Sequence, residues 1–398
     1  MSDTTLLASM VAVESAWLDA LVGEGLAPGE CAGADLHRLV AVQDCEMLAV
    51  GAEGGANPVI GLVKLLRERA TPQVSRWIHR GLTSQDVLDT GLMLATRAVA
   101  DEVMSQLAEQ VSTLTALATT HRGTQMVART LTQHAAPTTF GAKVATWLNG
   151  VVDAYQQLAV LTTPIQVGGA GGTLAATTEL AILAGGHGSA VEIPAKLAQT
   201  AAATLGLAIR MPWHTTRTPV TAASDALVGC TDAWGRIASD VVTLVRPEIA
   251  ELSEPATGDR GGSSSMPHKR NPVLSILIRR SAIAAPSLGA TLHTAAALAN
   301  DERPDGSWHA EWDTLRTLGR RTVVAGAQCS ELLAGLQVHP EQMAENLARA
   351  LASNGVLSEQ CVIADLVGKA PSANYFGAVN TLIAESVDRA KQIVKEHP

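Results

Sequence analysis

Apolar residues recur at steps of three and four over long stretches of this chain, the spacing that puts them on one face of an α-helix. From Leu227 the positions Cys230, Trp234, Ile237, Val241 and Val245 follow this rule until Pro247 interrupts it, and Val220 to Ala223 extend the same face upstream. A second run carries Val103, Leu107, Val111, Leu114 and Leu117, and a third carries Phe140, Val144, Trp147, Val151, Tyr155 and Leu158 before Pro164. A fourth helix is predicted after Pro272, through Ile276 and Leu277 towards Leu298, and a fifth from Leu315 to Leu336. Strand-like alternation is nearly absent, and alanines crowd the helical runs, which lets helices approach closely. The pattern predicts an all-α fold: a long-helix bundle flanked by smaller helical N- and C-terminal domains. Breaks in the periodicity place the boundaries at residues 1–95, 96–332 and 333–398. Punctuated segments fall at residues 77–90, 128–141 and 257–272, with a glycine-rich turn at Gly168–Gly172.

Composition narrows the function. Of 398 residues, 47% are apolar and 17% charged, which excludes intrinsic disorder and implies apolar surface buried between subunits as well as within them. A net charge of −9 argues against nucleic acid as a partner, since phosphates require a basic face. Two Phe and two Tyr provide few stacking platforms. A small-molecule substrate is expected. The five cysteines (Cys31, Cys45, Cys230, Cys329 and Cys361) are scattered and read as reduced core thiols. The N-terminus lacks a basic region, and Asp3, Glu14 and Asp19 interrupt its apolar stretch, so no signal peptide is expected; no stretch of about 18 uninterrupted apolar residues occurs, so no membrane span is expected. A cytoplasmic location follows as an expectation.

The segment with the densest chemistry is Gly262-Ser263-Ser264-Ser265-Met266-Pro267-His268-Lys269-Arg270-Asn271-Pro272. Free N–H groups in such a Gly/Ser loop can bind carboxylate oxygens, and Lys269 adds a point charge. A flexible surface loop with a solvated Lys-Arg pair is the plainer reading of the same composition. A second segment, His79 to Thr90, contains Thr83-x-x-Asp86 ahead of an apolar run, a capping-box start whose helix N-terminus offers N–H groups to an anion. A third, Ala128 to Gly141, holds Arg129-Thr-Leu-Thr-Gln133-His134 before Pro137.

These three segments, in their order along the chain, resemble the motifs of the fumarase/aspartase superfamily. The loop resembles the family's G-S-S-x-M-P-x-K-x-N at every position. The resemblance implies that Ser263 is the general base and that Lys269 and Asn271 hold a substrate carboxylate. Removing the proton next to that carboxylate moves negative charge onto its oxygens, so donors aimed there lower the barrier. The T-S-x-D stretch implies substrate contacts from Thr83 and Ser84, with His79 close by. The third segment resembles R-T-H-x-x-x-A-x-P-x-T with one departure: Leu131 stands where fumarases and adenylosuccinate lyases carry a histidine general acid. Leucine transfers no proton, and His134, with Gln133 beside it, is the nearest candidate for a catalytic or substrate-binding role; a structural hydrogen bonder is the alternative.

Weaker features complete the reading. Gly168–Gly172 does not complete a dinucleotide fingerprint and resembles the family's glycine-rich substrate loop, though tight helix packing explains it equally well. Arg217 and Arg303 each offer a guanidinium for a carboxylate; a routine surface cation is the plainer reading of each, and function is favoured for Arg303. Glu248, Glu251 and Glu254 read as a solvated face. No spaced His/Asp/Glu set suggests a metal, and no cofactor is implied.

Within the superfamily, Gly81-x-Thr-Ser-Gln-Asp-Val, Pro212-Trp-His-Thr and Ser307-Trp-His-Ala-Glu-Trp resemble the bacterial 3-carboxy-cis,cis-muconate cycloisomerases. That resemblance implies a cofactor-free lactonisation giving 4-carboxymuconolactone in aromatic-compound degradation, with the substrate's own carboxylate as electron sink. It also implies a homotetramer whose sites are shared between subunits. An adenylosuccinate-type lyase releasing fumarate and a non-enzymatic helical scaffold of the same fold are the alternatives.

Overall fold

The computed structural model describes residues 1–185, 190–255, 260–266, 268–352 and 355–396. The chain opens with α1 (Asp3–Gly23), α2 (Asp44–Gly55), α3 (Val59–Arg69), α4 (Pro72–Ser75) and the long α5 (Ser84–Thr120). A hairpin of β1 (Gln125–Thr130) and β2 (Gln133–Thr139) leads into α6 (Phe140–Ala159), α7 (Ala175–Leu183), α8 (Ile193–Leu205) and α9 (Thr218–Leu244). Then follow β3 (Leu252–Ser253), α10 (Val273–Ala297), α11 (Gly306–Ala334), β4 (Gln337–Val338), α12 (Pro340–Ala352), α13 (Ser358–Leu366) and α14 (Val379–Glu396). The fold is all-α in class, and the five helices expected from periodicity are α9, α5, α6, α10 and α11. Pro286 sits inside α10, removing one ladder hydrogen bond without ending the helix.

The chain divides into two compact units, neither a contiguous stretch. One comprises Met1–Asp101, Leu161–Asp225 and Ser287–Arg320; the other comprises Glu102–Val160, Ala226–Pro286 and Arg321–Pro398.

In the first unit α1 packs on α8, and the core gathers Trp17, Leu21, Leu62, Leu66, Ile165, Leu197 and Trp308. Burying side chains of this size contributes roughly 1.5–3 kcal/mol each, which sets the stability of the unit. In the second unit the C-terminal part of α5 meets α9 and α11. The Gln110 amide joins them: its oxygen accepts from Trp234 Nε1 at 2.7 Å, and its nitrogen donates to the Gly326 carbonyl at 3.0 Å. Small residues set the spacing there. A Cβ at Gly235 would stand 2.5 Å from that of Ala282, so α9 and α10 touch at Gly and Ala.

By length and apolarity alone, α1 and α10 could cross a bilayer, but 61% of the apolar stretch of α1 is buried, as in the core helix of a soluble fold, against 33% of that of α10. Of the five cysteines, Cys31, Cys230 and Cys329 are core thiols as expected, whereas Cys45 is half-buried and Cys361 exposed.

The hairpin is the main departure from the helical reading. Its alternation is interrupted by a register irregularity between Val127 and Arg129, and its two-residue turn, Leu131-Thr132, carries no glycine or asparagine. A sequence pattern with neither clean period nor turn residues leaves a strand pair unannounced.

Candidate active site

In the first unit, the N-terminus of α5 is built around Asp86. Thr83 N–H donates to its Oδ2 at 3.0 Å, the expected half of a capping box. The same buried carboxylate accepts from Gly168 and Gly169 N–H, both at 2.9 Å, and from His214 Nε2 at 2.8 Å. Asp86 therefore ties the helix start to the glycine turn. Glycine is required at 168, because a Cβ there would lie 2.7 Å from the His214 ring. Gly169 and Gly172 adopt positive φ.

The residues expected around this helix start share the unit. Arg303 donates to the Thr83 hydroxyl. Ser84 and His79 line one cleft of about 620 Å³ with Lys64, Arg67 and Ser75. His79 Nδ1 lies 2.6 Å from the buried Glu14 carboxylate.

Arg217 is neither a carboxylate clamp for substrate nor a surface cation. It is fully buried and grips Asp89 (2.7 and 3.1 Å) and Glu311, while Trp308 Nε1 donates to Asp89 at 2.9 Å. Burial pushes the Glu311 carboxyl above its ordinary range, against the opposing pull of Arg217. A buried charge must find partners, and this one has used both its edges.

In the second unit, Ser263, Lys269 and Asn271 share the loop that precedes α10; Pro267 and residues 256–259 of this region lie outside the described residues. Asn271 closes the loop: its N–H and its side-chain amide both donate to the Gly261 carbonyl, at 2.8 and 3.2 Å. Gly261 has φ +81°, and a Cβ there would meet Asn271 O at 2.6 Å. Ser263 Oγ accepts from the backbone N–H of Met266 at 3.2 Å and of Ser265 at 3.4 Å. An oxygen facing two N–H donors is one whose negative charge is stabilised, the condition a serine base needs. Lys269 is exposed, and its side chain has no hydrogen-bond or ion-pair partner among the described residues. Asn271 therefore has a structural role in closing the loop, a role the sequence did not assign it.

Glu251 and Glu254 do not form a solvated face. Helix α9 stops at Leu244, so their spacing no longer places them on one helix surface. Glu251 is buried and takes a two-bond ion pair from Arg129 at 2.7 and 3.0 Å plus Asn346 at 2.8 Å. Glu254 accepts from Leu274 and Ser275 N–H and so fills the N-terminus of α10.

The hairpin presents Gln133 and His134 as neighbours on β2, and neighbours on a strand point to opposite faces. His134 lines a second cleft of about 620 Å³ with Arg129, Lys143, Arg246 and Arg349. Burial lowers the Lys143 pKa, with Asp240 3.8 Å away partly restoring it.

Leu131 sits at the hairpin tip, 96% exposed, with φ +48°, and Thr132 follows at φ +74°. Left-handed backbone costs an L-residue about 1–2 kcal/mol, most for a β-branched one. Thr132→Gly is therefore expected to raise the urea midpoint by the equivalent of about 1 kcal/mol; an unchanged or lowered midpoint would show that the turn carries no strain.

The sequence assigns no site role to Glu14, Arg67 or His214, and to Asp86 only that of a helix cap. The spacing of Asp86 from Thr83 marked it as a cap only, and Glu14 was hidden in an apolar run.

A family model described as Lyase matches residues 37–285. Nitrosuccinate lyase of Streptomyces davaonensis is 41% identical over 379 residues, covering 93% of this chain and 78% of that one. The 3-carboxy-cis,cis-muconate cycloisomerase of Bradyrhizobium diazoefficiens is 36% identical over 389 residues, covering 95% and 82%. The crystal structure of 3-carboxy-cis,cis-muconate lactonizing enzyme from Pseudomonas putida superposes with a TM-score of 0.81 at 27% identity, covering 99% and 96%. Motifs, fold and relatives agree that the chain belongs to the fumarase/aspartase superfamily and is an enzyme of its lyase and cycloisomerase type.

Proposed function

We propose that the enzyme makes or breaks a bond at the carbon β to a substrate carboxylate, with a group that leaves as a stable anion. The observation that carries this reading is Leu131 at the position of the family's acid histidine. An amine or hydroxide leaving group must be protonated as it departs, which leucine cannot do. A carboxylate, whose acid has a pKa of about 4, leaves without that help.

The first reading is lactonisation of 3-carboxy-cis,cis-muconate. One carboxylate oxygen attacks a conjugated carbon and forms the C–O bond. The displaced π pair moves onto the neighbouring carboxylate as an aci-acid, and a proton then returns to carbon, giving 4-carboxymuconolactone. Ser263 carries that proton between its hydroxyl and the substrate carbon, with the two loop N–H groups stabilising the alkoxide. Lys269 and Asn271 face the aci-carboxylate, and Thr83, Ser84, His79 and Arg303 hold the other carboxylates. His134 or Gln133 adds a contact, but strand geometry lets only one of them face a given substrate. Because the substrate supplies its own electron sink, the mechanism requires no cofactor. The functional enzyme is proposed to be a homotetramer in which loops of several subunits complete each site.

A second reading is favoured by the 41% identity to a nitrosuccinate lyase. Nitrite is also a stable anion: removing the proton next to a carboxylate and breaking the C–N bond would release nitrite and fumarate without a general acid.

The test places 3-carboxy-cis,cis-muconate, nitrosuccinate and adenylosuccinate in parallel assays. Loss of the diene absorbance is expected, and nitrite release would select the second reading. Turnover of adenylosuccinate alone, or of none of the three, would overturn the anionic-leaving-group proposal.

A further inference from the structure

We propose that Glu14 is a positioning residue for substrate binding: it fixes His79 so that one imidazole nitrogen meets a substrate carboxylate in the cleft beside Ser84. This deepens the polycarboxylate reading above and rests on it.

His79 Nδ1 is 2.6 Å from Glu14 Oε1; the Glu14 side chain is fully buried, whereas that of His79 is 17% exposed. A carboxylate at that distance accepts a hydrogen bond from Nδ1–H and sets the ring's orientation, as an acidic partner does wherever an imidazole must present one chosen nitrogen. Nε2, on the other side of the ring, is then the nitrogen left for the cleft that His79 lines with Ser84, Arg67 and Lys64. Two cations and a hydroxyl around one imidazole suit a carboxylate, which accepts from Nε2–H when the ring carries a proton on both nitrogens, one facing Glu14 and one facing substrate. Glu68 is the acid of this lining, and Lys64 reaches it at 3.9 Å along α3.

Two further observations set this pair apart from an ordinary packing contact. Glu14 Oε2 is buried without a hydrogen-bond partner among the described residues, so His79 supplies the hydrogen bond to a fully desolvated carboxylate. Such a group has much to lose if the imidazole turns away. His79 also holds φ +63°, a left-handed conformation that costs free energy in a non-glycine residue and persists only where neighbours enforce it. Those neighbours are visible. Trp17, one turn beyond Glu14 on α1, donates from Nε1 to the Arg80 carbonyl at 2.7 Å, and Arg67 donates to the Ile78 carbonyl at 2.8 Å. Helices α1 and α3 therefore grip the segment on either side of the imidazole, Trp17 at Arg80 and Arg67 at Ile78.

The experiment measures calorimetric affinity of the full-length enzyme for propane-1,2,3-tricarboxylate, a saturated tricarboxylate with no leaving group. Glu14→Ala is expected to weaken binding about tenfold, the worth of one charge-assisted hydrogen bond. His79→Ala should weaken it at least as much, and the double variant no further than His79→Ala alone. Glu14→Gln keeps an acceptor for Nδ1 and should recover most of the affinity. His79→Gln gives a second cycle if His79→Ala fails to fold. Wild-type affinity in Glu14→Ala, or an equal loss with and without His79, would overturn the proposal and leave the polycarboxylate reading standing. Absence of binding by the wild-type enzyme would overturn both.

Discussion

Ser263→Ala is expected to lower kcat by about three orders of magnitude or more on whichever substrate the enzyme turns over, the upper part of the range for losing a positioned general base. The reason is local. Ser263 Oγ already faces the N–H groups of Ser265 and Met266, a frame that an alanine methyl cannot use. Because the loop is closed by Asn271 on Gly261 and not by the hydroxyl, the variant should fold normally. Affinity for an unreactive polycarboxylate should change by only a few-fold, since uniform binding is separate from transition-state stabilisation. Steady-state kinetics paired with calorimetry checks both halves. A variant that keeps more than a tenth of wild-type kcat would remove Ser263 from the proton-transfer role and return attention to His134.

Arg217→Met is expected to be the most damaging single change to the fold. The guanidinium satisfies two buried carboxylates at once, and methionine fills similar volume while leaving Asp89 and Glu311 facing each other without a cation. Breaking a buried ion pair by removing one partner costs about 3–5 kcal/mol, of the order of a domain's whole stability margin. The melting midpoint should fall by many degrees, or the protein should fail to accumulate in soluble form. A midpoint within two or three degrees of wild type, by calorimetry, would mean that the two carboxylates tolerate each other by holding a shared proton. The raised pKa of Glu311 makes it the carboxylate that would take up that proton.

The helical framework was legible because it rests on periodicity, and periodicity survives in a single sequence. Val103 to Leu117 and Leu227 to Val245 declare one face each, and the structure buries those faces up to their last positions, which are half-buried. The loop around Ser263 and the cap at Thr83 were legible for a different reason: short contiguous motifs carry their geometry with them. What stayed hidden depended on residues far apart in the chain. Nothing adjacent to Glu14 announces that it meets a histidine 65 positions on. Glu251 looked solvated because its spacing from Glu248 and Glu254 mimicked a helix face, yet α9 had already ended and Arg129 was waiting on a hairpin with no turn signal. Arg217 illustrates the same limit: a lone arginine in a polar stretch reads as surface until Asp89 and Glu311 are brought to it.

The hairpin turn has a further consequence for how this enzyme could change its chemistry. Thr130 pairs with Gln133 across a turn of only Leu131 and Thr132, so the side chains of β2 are assigned to their faces by the length of that turn. Adding or deleting one residue would slide β2 by one position and exchange the two faces, turning a glutamine outward and an imidazole inward, or the reverse. A proton-transferring group could thus be introduced or withdrawn without mutating any residue that touches substrate. Loop length would then act as a selector between leaving groups that need an acid and those that do not.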